Sequence, residues 1–469
     1  MKLGSRRAAL HITVVLAAFV GAVPVCAEET PSPAGAIEGR PAPGLASPLQ
    51  ARVDAASPGD VLVVTAGTYV GDLTIDKPLT LLGRGRPTLV GSGTGSVVRI
   101  RAAGVVIEGV DINGKGGGDL GRDSAGIHVS AARVVIRDCR VRNALFGIYL
   151  READDVVVDR CRIEGVPGKE PGEIGSGIHV WNSHRFHFSD NDIRATRDGF
   201  YIQSSSGGRV LRNRARDLRY GLHYMYSDDN VFEENTFENG AAGAALMFSQ
   251  RLAFRRNRFL HNRGFASVGL LLKACDEVIA EDNLIADNAR GIFLEGSYRN
   301  VFRRNIVAQS DTAIVLYDSA SGNEFAGNAF IGNMTPLTFV GRRTDTRFDG
   351  NFWSSNREPD LDGDGRSDRP YRLASLFDHL RGNVVAADLY ADGFAAAALA
   401  AAEATFPVLE PVEVLDRAPL VARPDLPAVP RPDVAVNGSR AEVSASLVLV
   451  VFGAVVLRPR RPAPHPAQG

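Results

Sequence analysis

The sequence predicts an all-β fold, a right-handed parallel β-helix with rungs of about 22 residues and a small C-terminal helical cap. Two recurring markers predict it: a tetrad of glycine and three mostly apolar residues, and an asparagine that repeats with the same period. No helical pattern interrupts this repeat, so we expect two or three short strands in each rung. Because one rung cannot bury its own apolar face, stacking of rungs must supply the core.

The glycine tetrad is the first marker. Its nine copies begin at Gly126, Gly147, Gly177, Gly199, Gly221, Gly243, Gly269, Gly291 and Ala313. Two steps are longer than the others, because extra residues enter before Gly177 and before Gly269. Both insertions fall in the same sector of the rung, and loops on one face of a repeat protein often mark its binding surface.

The recurring asparagine is the second marker. It occurs at Asn191, Asn213, Asn235, Asn257, Asn283, Asn305, Asn328 and Asn351. Stacked in register, these side chains predict an amide ladder. Cys139 and Cys161 take the same column on two earlier rungs, where the backbone spacing allows a disulfide. A disulfide, a stacked pair of buried thiols and thiolate metal binding all remain open, and Cys275 is expected to be an isolated buried thiol.

The segments around the β-helix follow from local composition. Lys2, Arg6 and Arg7 precede an apolar run and small residues that end at Ala27, which predicts a removed signal peptide and a periplasmic location. The formal net charge of −1 argues against nucleic-acid binding. The predicted organisation is a signal peptide at 1–27, the β-helix at 50–350, a cap with an acidic loop and helix at 351–425, a proline-rich linker at 426–442 and a short hydrophobic tail at 443–457.

The hydrophobic tail raises the question of membrane contact. Its 15 residues would span only about 22 Å as a helix, which is short for a hydrocarbon core. Arginines follow it directly, as at the cytoplasmic end of a spanning segment. Membrane contact, a hydrophobic terminal strand and a processed tail remain open.

The alternation of side chains within the tetrad predicts a metal site. The residue after each glycine is apolar and expected inside, so His223 and Met225 should both point outward. Met247 falls in the same outward column as Met225 on the next rung, roughly 4.8 Å away. One imidazole and two thioethers favour Cu(I). The alternatives are methionines that fill space and histidines that stack on neighbouring tyrosines.

Two further groups of residues are candidate metal sites. The same outward columns contain a secondary candidate copper site formed by His179, Trp181 and Tyr201. The first two of these residues lie about 10 Å from Met225. Asp360, Asp362, Asp364 and Asp368 have the spacing of a Ca²⁺ loop, with glycines between them but no closing glutamate, so a solvated turn is the alternative.

Several stretches resemble the NosD family, the periplasmic maturation proteins of nitrous oxide reductase. They are Tyr220–Asn230, Ala245–Ser249, Gly269–Lys273 and Gly350–Trp353 with Asp362–Gly365. The resemblance covers about residues 58 to 425 and implies a non-enzymatic protein that receives copper and passes it on for assembly of a copper-sulfide centre. It also implies three partners: an ABC transporter with ATPase and membrane subunits, a copper chaperone, and the reductase.

A carbohydrate-active β-helix enzyme is the main rival, because pectin-cleaving enzymes share this architecture. Glycoside hydrolysis needs paired carboxylates. The outward columns between residues 126 and 250 instead carry His, Tyr, Trp, Gln and Met, with no acid pair. A third hypothesis is an envelope scaffold without a small ligand. It would require the column of methionines to have no role in binding.

Overall fold

The computed structural model describes residues 48–373 and 414–425, with residues 393, 394, 398, 399 and 402 between them. It confirms the right-handed parallel β-helix, with about 13 turns of about 22 residues and almost no helix. The predicted signal peptide, the proline-rich linker and the hydrophobic tail lie outside the described residues, as does nearly all of the alanine-rich stretch 384–406 that we expect to form the helix of the cap. Within the described part of the chain, no helix is long and apolar enough to cross a membrane.

Each rung is built from short strands. One helix, α1 (Pro48–Ala55), buries Leu49 and Val53 against the start of the core, and two short 3₁₀ helices occur at Leu120–Arg122 and Pro171–Glu173. The strands are β1 (Val61–Thr65), β2 (Thr68–Val70), β3 (Leu73–Ile75), β4 (Thr80–Arg84), β5 (Thr88–Val90), β6 (Val98–Ile100), β7 (Val106–Glu108), β8 (Asp111–Asn113), β9 (Ala125–Val129), β10 (Val135–Arg137), β11 (Arg140–Arg142), β12 (Phe146–Arg151), β13 (Val157–Asp159), β14 (Arg162–Glu164), β15 (Ile178–Trp181), β16 (His187–Ser189), β17 (Asp192–Arg194), β18 (Asp198–Gln203), β19 (Arg209–Leu211), β20 (Arg214–Met225), β21 (Val231–Glu233), β22 (Thr236–Gln250), β23 (Ala253–Arg255), β24 (Arg258–Leu260), β25 (Val268–Asp276), β26 (Ile279–Glu281), β27 (Leu284–Ala286), β28 (Arg290–Glu295), β29 (Val301–Arg303), β30 (Ile306–Ala308), β31 (Thr312–Tyr317), β32 (Glu324–Ala326), β33 (Ala329–Ile331), β34 (Thr335–Val340), β35 (Arg347–Asp349), β36 (Phe352–Trp353), β37 (Tyr371–Arg372) and β38 (Leu415–Asp416).

The strands stack in parallel, each on its counterpart one rung away. One stack runs from β1 through β4 and β7 to β35 and ends with β38, which pairs antiparallel with β37. The other two stacks carry the asparagine-flanked strands and the glycine tetrads, and they merge where β20 and β22 run through both. This parallel register puts chemically equivalent positions of successive rungs side by side.

The interior is apolar, as the alternation predicts. The residue after each tetrad glycine is buried in the core: Ile127, Ile148, Ile178, Phe200, Leu222, Ala244, Leu270 and Ile292. The glycine itself is required by close packing. A Cβ on Gly221 would lie 2.6 Å from the carbonyl oxygen of Gly243 and 2.7 Å from the Phe237 ring. A side chain there would push the rungs apart.

The asparagine ladder is confirmed. Each buried side chain donates from Nδ2 to Oδ1 of the next one, as between Asn235 and Asn257 at 3.0 Å, and that Oδ1 also accepts the backbone N–H of Asn235 at 3.0 Å. At the C-terminal end, Asp416 takes the place of the next asparagine. Its Oδ2 accepts from Nδ2 of Asn351 at 2.9 Å and from Nε1 of Trp353 at 3.0 Å. The ladder therefore ends on a carboxylate from the returning chain.

All three cysteines among the described residues are buried free thiols. Cys161 stands in the ladder column, because its backbone N–H donates to Oδ1 of Asn191 at 2.9 Å. A hydrogen bond with Cys139 and burial raise the pKa of the Cys161 thiol well above its ordinary value. The structure therefore shows Cys139 and Cys161 as stacked thiols, the second of the predicted alternatives. Cys275 is the isolated buried thiol that we expected.

Candidate functional site

Three inserted loops lie along the outward column beside the tetrads. Two of the loops, at 165–177 and 261–267, are the predicted insertions. A third, at 114–124, precedes the first tetrad and escaped the sequence reasoning because no earlier tetrad marks its step. Leu120 of this loop packs on Phe146 and Tyr149, which form a cluster separate from the core. The column thus lies outside the apolar core, and its first part forms a buried outer layer.

Aromatic rings fill the first part of this layer. Tyr149 stacks on His128 at a centroid distance of 5.3 Å and on His179 at 4.4 Å, and His179 stacks on Tyr201 at 4.4 Å. Burial, with a smaller contribution from the charge of Arg197, lowers the pKa of His179 to about 3. Its imidazole is therefore neutral at physiological pH and sandwiched between two phenol rings.

His223 departs from this pattern. Its ring meets Tyr201 edge-on, with centroids 4.8 Å apart and planes at 86°. The side chain is buried, and Nδ1 lies 3.4 Å from Oδ2 of Asp198 and 3.3 Å from Nη2 of Arg219. Among the described residues, Nε2 has no hydrogen-bond partner. A buried polar nitrogen without a partner costs roughly 1–3 kcal/mol, so this atom calls for an explanation.

Asp198 anchors a small charged network. It is fully buried, and Arg219 donates to it from Nε at 2.9 Å and from Nη2 at 2.7 Å. Arg197 donates from Nε to Oδ2 at 3.3 Å. Burial raises the pKa of Asp198, but hydrogen bonds from His223 and Arg219 outweigh it and lower the pKa to about 2. A carboxylate thus stays ionised beside His223.

The two methionines stand where the sequence places them. Met225 and Met247 are register partners on β20 and β22, and both are half-buried and outside the apolar core. Parallel neighbours are about 4.8 Å apart, and His223 lies two residues before Met225 on the same strand. The column continues into Gln203 on one side and Lys273 on the other. The three predicted copper ligands therefore share one outward face of two adjacent rungs.

The secondary candidates are engaged with neighbours. His179 is stacked on both faces, although its Nδ1 is buried without a hydrogen-bond partner among the described residues. The Tyr201 hydroxyl donates to Oε1 of Gln203 at 2.7 Å, and the Arg151 guanidinium lies 5.3 Å from the centroid of the Trp181 ring. A role for His179, Trp181 and Tyr201 in copper binding stays a prediction.

The acidic loop brings three of its four carboxylates together. Oxygens of Asp360, Asp362 and Asp364 lie within 4.8 Å of one another. Asp360 also accepts from the backbone N–H of Gly363 at 2.7 Å, and Asp368 accepts from that of Leu361. These hydrogen bonds fit the solvated-turn alternative as well, so Ca²⁺ binding also stays a prediction.

The sequence reasoning missed the polar partners of His223. Strict alternation places Asp198 on the same side as Phe200, inside the core. The alternation breaks at the tetrad glycine, because the residues before the glycine, such as Phe146, belong to the outer layer. The sequence carries one signal for this position: among the residues that directly precede the nine tetrads, Asp198 is the only acidic one.

Comparison with known proteins identifies relatives along most of the chain. Residues 163–359 match the family described as "Periplasmic copper-binding protein (NosD)". A protein of Pseudomonas aeruginosa named "Probable ABC transporter binding protein NosD" is 30% identical over 79% of this chain and 89% of its own length. A relative with the same name from Stutzerimonas stutzeri is 29% identical over 76% of this chain and 86% of its own length.

Solved structures share the fold at low sequence identity. The A-module of the mannuronan C-5 epimerase AlgE6 from Azotobacter vinelandii aligns with a TM-score of 0.52 and 15% identity, over 63% of this chain and 92% of that one. The Dettilon tailspike protein gp208 aligns with a TM-score of 0.50 and 14% identity, over 63% and 65%. At this identity the likeness concerns the β-helix alone.

Proposed function

Because the chain belongs to the NosD family, we propose that it is a periplasmic accessory protein that binds Cu(I) through His223, Met225 and Met247 and hands it on. The recipient is the copper-sulfide centre of nitrous oxide reductase during its assembly. An ABC transporter and a copper chaperone are the partners in this process. Copper is cargo in this proposal, and the chain is not an enzyme.

One observation carries the proposal: Nε2 of buried His223 has no hydrogen-bond partner in the described part of the chain, and a register pair of thioethers shares its outward face. A neutral imidazole that donates from Nδ1 to a carboxylate presents a lone pair on Nε2, and metal-binding histidines use this arrangement widely. Thioether sulfur and imidazole nitrogen together favour Cu(I) over hard cations. The family description as copper-binding and periplasmic supports the same assignment.

The surroundings favour binding that can be reversed. Half-buried methionine side chains are flexible, so they can follow the ion toward a partner. The Arg197 and Arg219 guanidiniums outnumber the single Asp198 carboxylate, and this excess positive charge opposes very tight binding of a cation. Both properties suit a carrier. The names of the two relatives support an ABC transporter as partner.

Cu(I) competition against a chromophoric chelator, without oxygen, tests the site. We expect His223→Gln and Met247→Leu each to lower the affinity at least tenfold, since even the loss of an outer-shell partner of a metal ligand costs roughly 10–100-fold. Met334→Leu is the matched control, because Met334 is 76% exposed and lies outside this column. Wild-type affinity in both site variants would rule out the assignment.

A second measurement tests the transfer. The reductase would be produced in cells that carry either the wild-type chain or the Met225→Leu, Met247→Leu double variant. We expect the reductase to contain less copper in the variant cells, while the amount of the chain itself is unchanged. Full copper content in the variant cells would contradict a role for this site in delivery.

A further inference from the structure

We propose that Arg219 regulates the copper site by competing with Asp198 for Nδ1 of His223. This inference rests on the proposed function, because His223 supplies its imidazole ligand. Arg219 is a positioning residue in this scheme, since it acts on the copper ligand through a hydrogen bond and contributes no ligand of its own.

The competition follows from the contacts of one nitrogen. Nδ1 of His223 is 3.3 Å from Nη2 of Arg219, which can only donate, and 3.4 Å from Oδ2 of Asp198, which as a carboxylate can only accept. The two distances are nearly equal and both are long, so neither contact dominates. Nδ1 can serve one of the two neighbours at a time, and its choice determines the tautomer of the ring.

The two tautomers differ in their ability to bind copper. If Nδ1 carries the proton and donates to Asp198, Nε2 keeps its lone pair and can bind the ion. If Nδ1 accepts from Arg219, the proton of the neutral ring is on Nε2, and the ligand position is blocked. Because Nε2 has no other partner among the described residues, the surroundings of Nδ1 alone select between these states.

Arg219 is placed so that its position can change. Its side chain is 30% exposed, and its guanidinium lies over the Tyr220 ring at 4.4 Å from the centroid. It also forms a two-pronged ion pair with Asp198. A shift of the guanidinium toward solvent would leave Nδ1 to Asp198, and the site would then favour copper.

The cluster contains a matched control. Arg197 also donates to Oδ2 of Asp198, at 3.3 Å, and its side chain is 25% exposed. Of the two guanidiniums, Arg219 is the one within hydrogen-bond distance of His223. Arg197→Met and Arg219→Met each remove one positive charge from the carboxylate, but Arg219→Met also removes the donor to Nδ1.

Long-range ¹⁵N–¹H NMR of the metal-free protein, with His223 assigned through His223→Gln, reads the tautomer directly. We expect Arg219→Met to raise the Nδ1–H population and to tighten Cu(I) binding about tenfold, the equivalent of one hydrogen bond to a charged group. Asp198→Asn should shift both quantities the other way. Arg197→Met should leave the tautomer as in the wild type, and thermal melts establish that each variant is folded.

The outcomes separate the two proposals. Equal tautomer populations in Arg219→Met and the wild type would overturn the role of Arg219, whatever the copper affinity. A tautomer that responds to Arg219 in a protein that binds no Cu(I) would support the competition and refute the proposed function. Tighter Cu(I) binding in Arg197→Met as large as in Arg219→Met would show that charge alone acts, and would also overturn the inference.

Discussion

Truncation of one ladder asparagine, Asn235→Ala, should loosen the two rungs that carry the proposed copper ligands. Asn235 is fully buried between β21 and β22. Its Nδ2 donates to the carbonyl of Val210 at 2.8 Å and to Asn257 at 3.0 Å, and its Oδ1 accepts from the backbone N–H and Nδ2 of Asn213 at 2.9 Å and 3.0 Å. The substitution removes all four hydrogen bonds.

The expected loss follows from these contacts. A net contribution of about 1 kcal/mol for each hydrogen bond gives about 4 kcal/mol, and part of this is the cost of leaving the buried N–H of Asn213 unpaired. Urea unfolding followed by circular dichroism measures the difference. Gln250→Ala is the control, since Gln250 is exposed and its side chain donates to Asp228 at 3.2 Å, so a change within about 0.5 kcal/mol is expected. Equal stability of the two variants would refute the idea that the ladder holds the rungs in register.

Two further predictions concern the closed end and the outer layer. Asp416→Ala should lower the melting temperature more than Asp416→Asn. The amide oxygen of an asparagine at this position can still accept the hydrogen bond from Asn351, as in the rest of the ladder. Equal losses in the two variants would contradict this role of Asp416. Burial lowers the pKa of His179 to about 3, so below about pH 6.5 the unfolded chain binds a proton that the folded chain does not. As the pH is lowered from about 6.5 to 3, this group should therefore reduce the free energy of unfolding by roughly 1.4 kcal/mol per pH unit. His179→Phe should remove that part of the slope, and an unchanged slope in urea titrations at several pH values would contradict the assignment.

Much of this architecture follows from periodicity in the sequence. The tetrads and asparagines recur once per rung, so the ladder, the apolar interior and the pairing of Met225 with Met247 are all consequences of one register. In a parallel stack, equal positions in the repeat become neighbours in space. The repeat period alone is therefore enough to place these side chains, without a prediction of any individual long-range contact.

The features that escaped prediction depend on breaks in that periodicity. Asp198 lies on the outer side because the alternation breaks at the glycine that follows it, and a strict period of two cannot show this. Asp416 comes from 65 residues beyond Asn351, outside any repeat, so its place at the end of the ladder depends on how the chain returns. The burial of His223 likewise depends on its contacts with Tyr220 and Arg219, which precede the next tetrad glycine and lie beyond the same break in alternation.

The β-helix explains why the proposed copper site combines methionine with a buried histidine network. The stack spaces equivalent backbone positions about 4.8 Å apart, and the ladder makes that spacing rigid. Long, flexible thioethers at Met225 and Met247 can adjust to an ion across this fixed distance, whereas shorter side chains cannot. The imidazole of His223 is the rigid element, and its orientation is set by Asp198 and Arg219. In the proposed arrangement the methionines would follow the ion, while the hydrogen bonds at Nδ1 would decide whether the site accepts it.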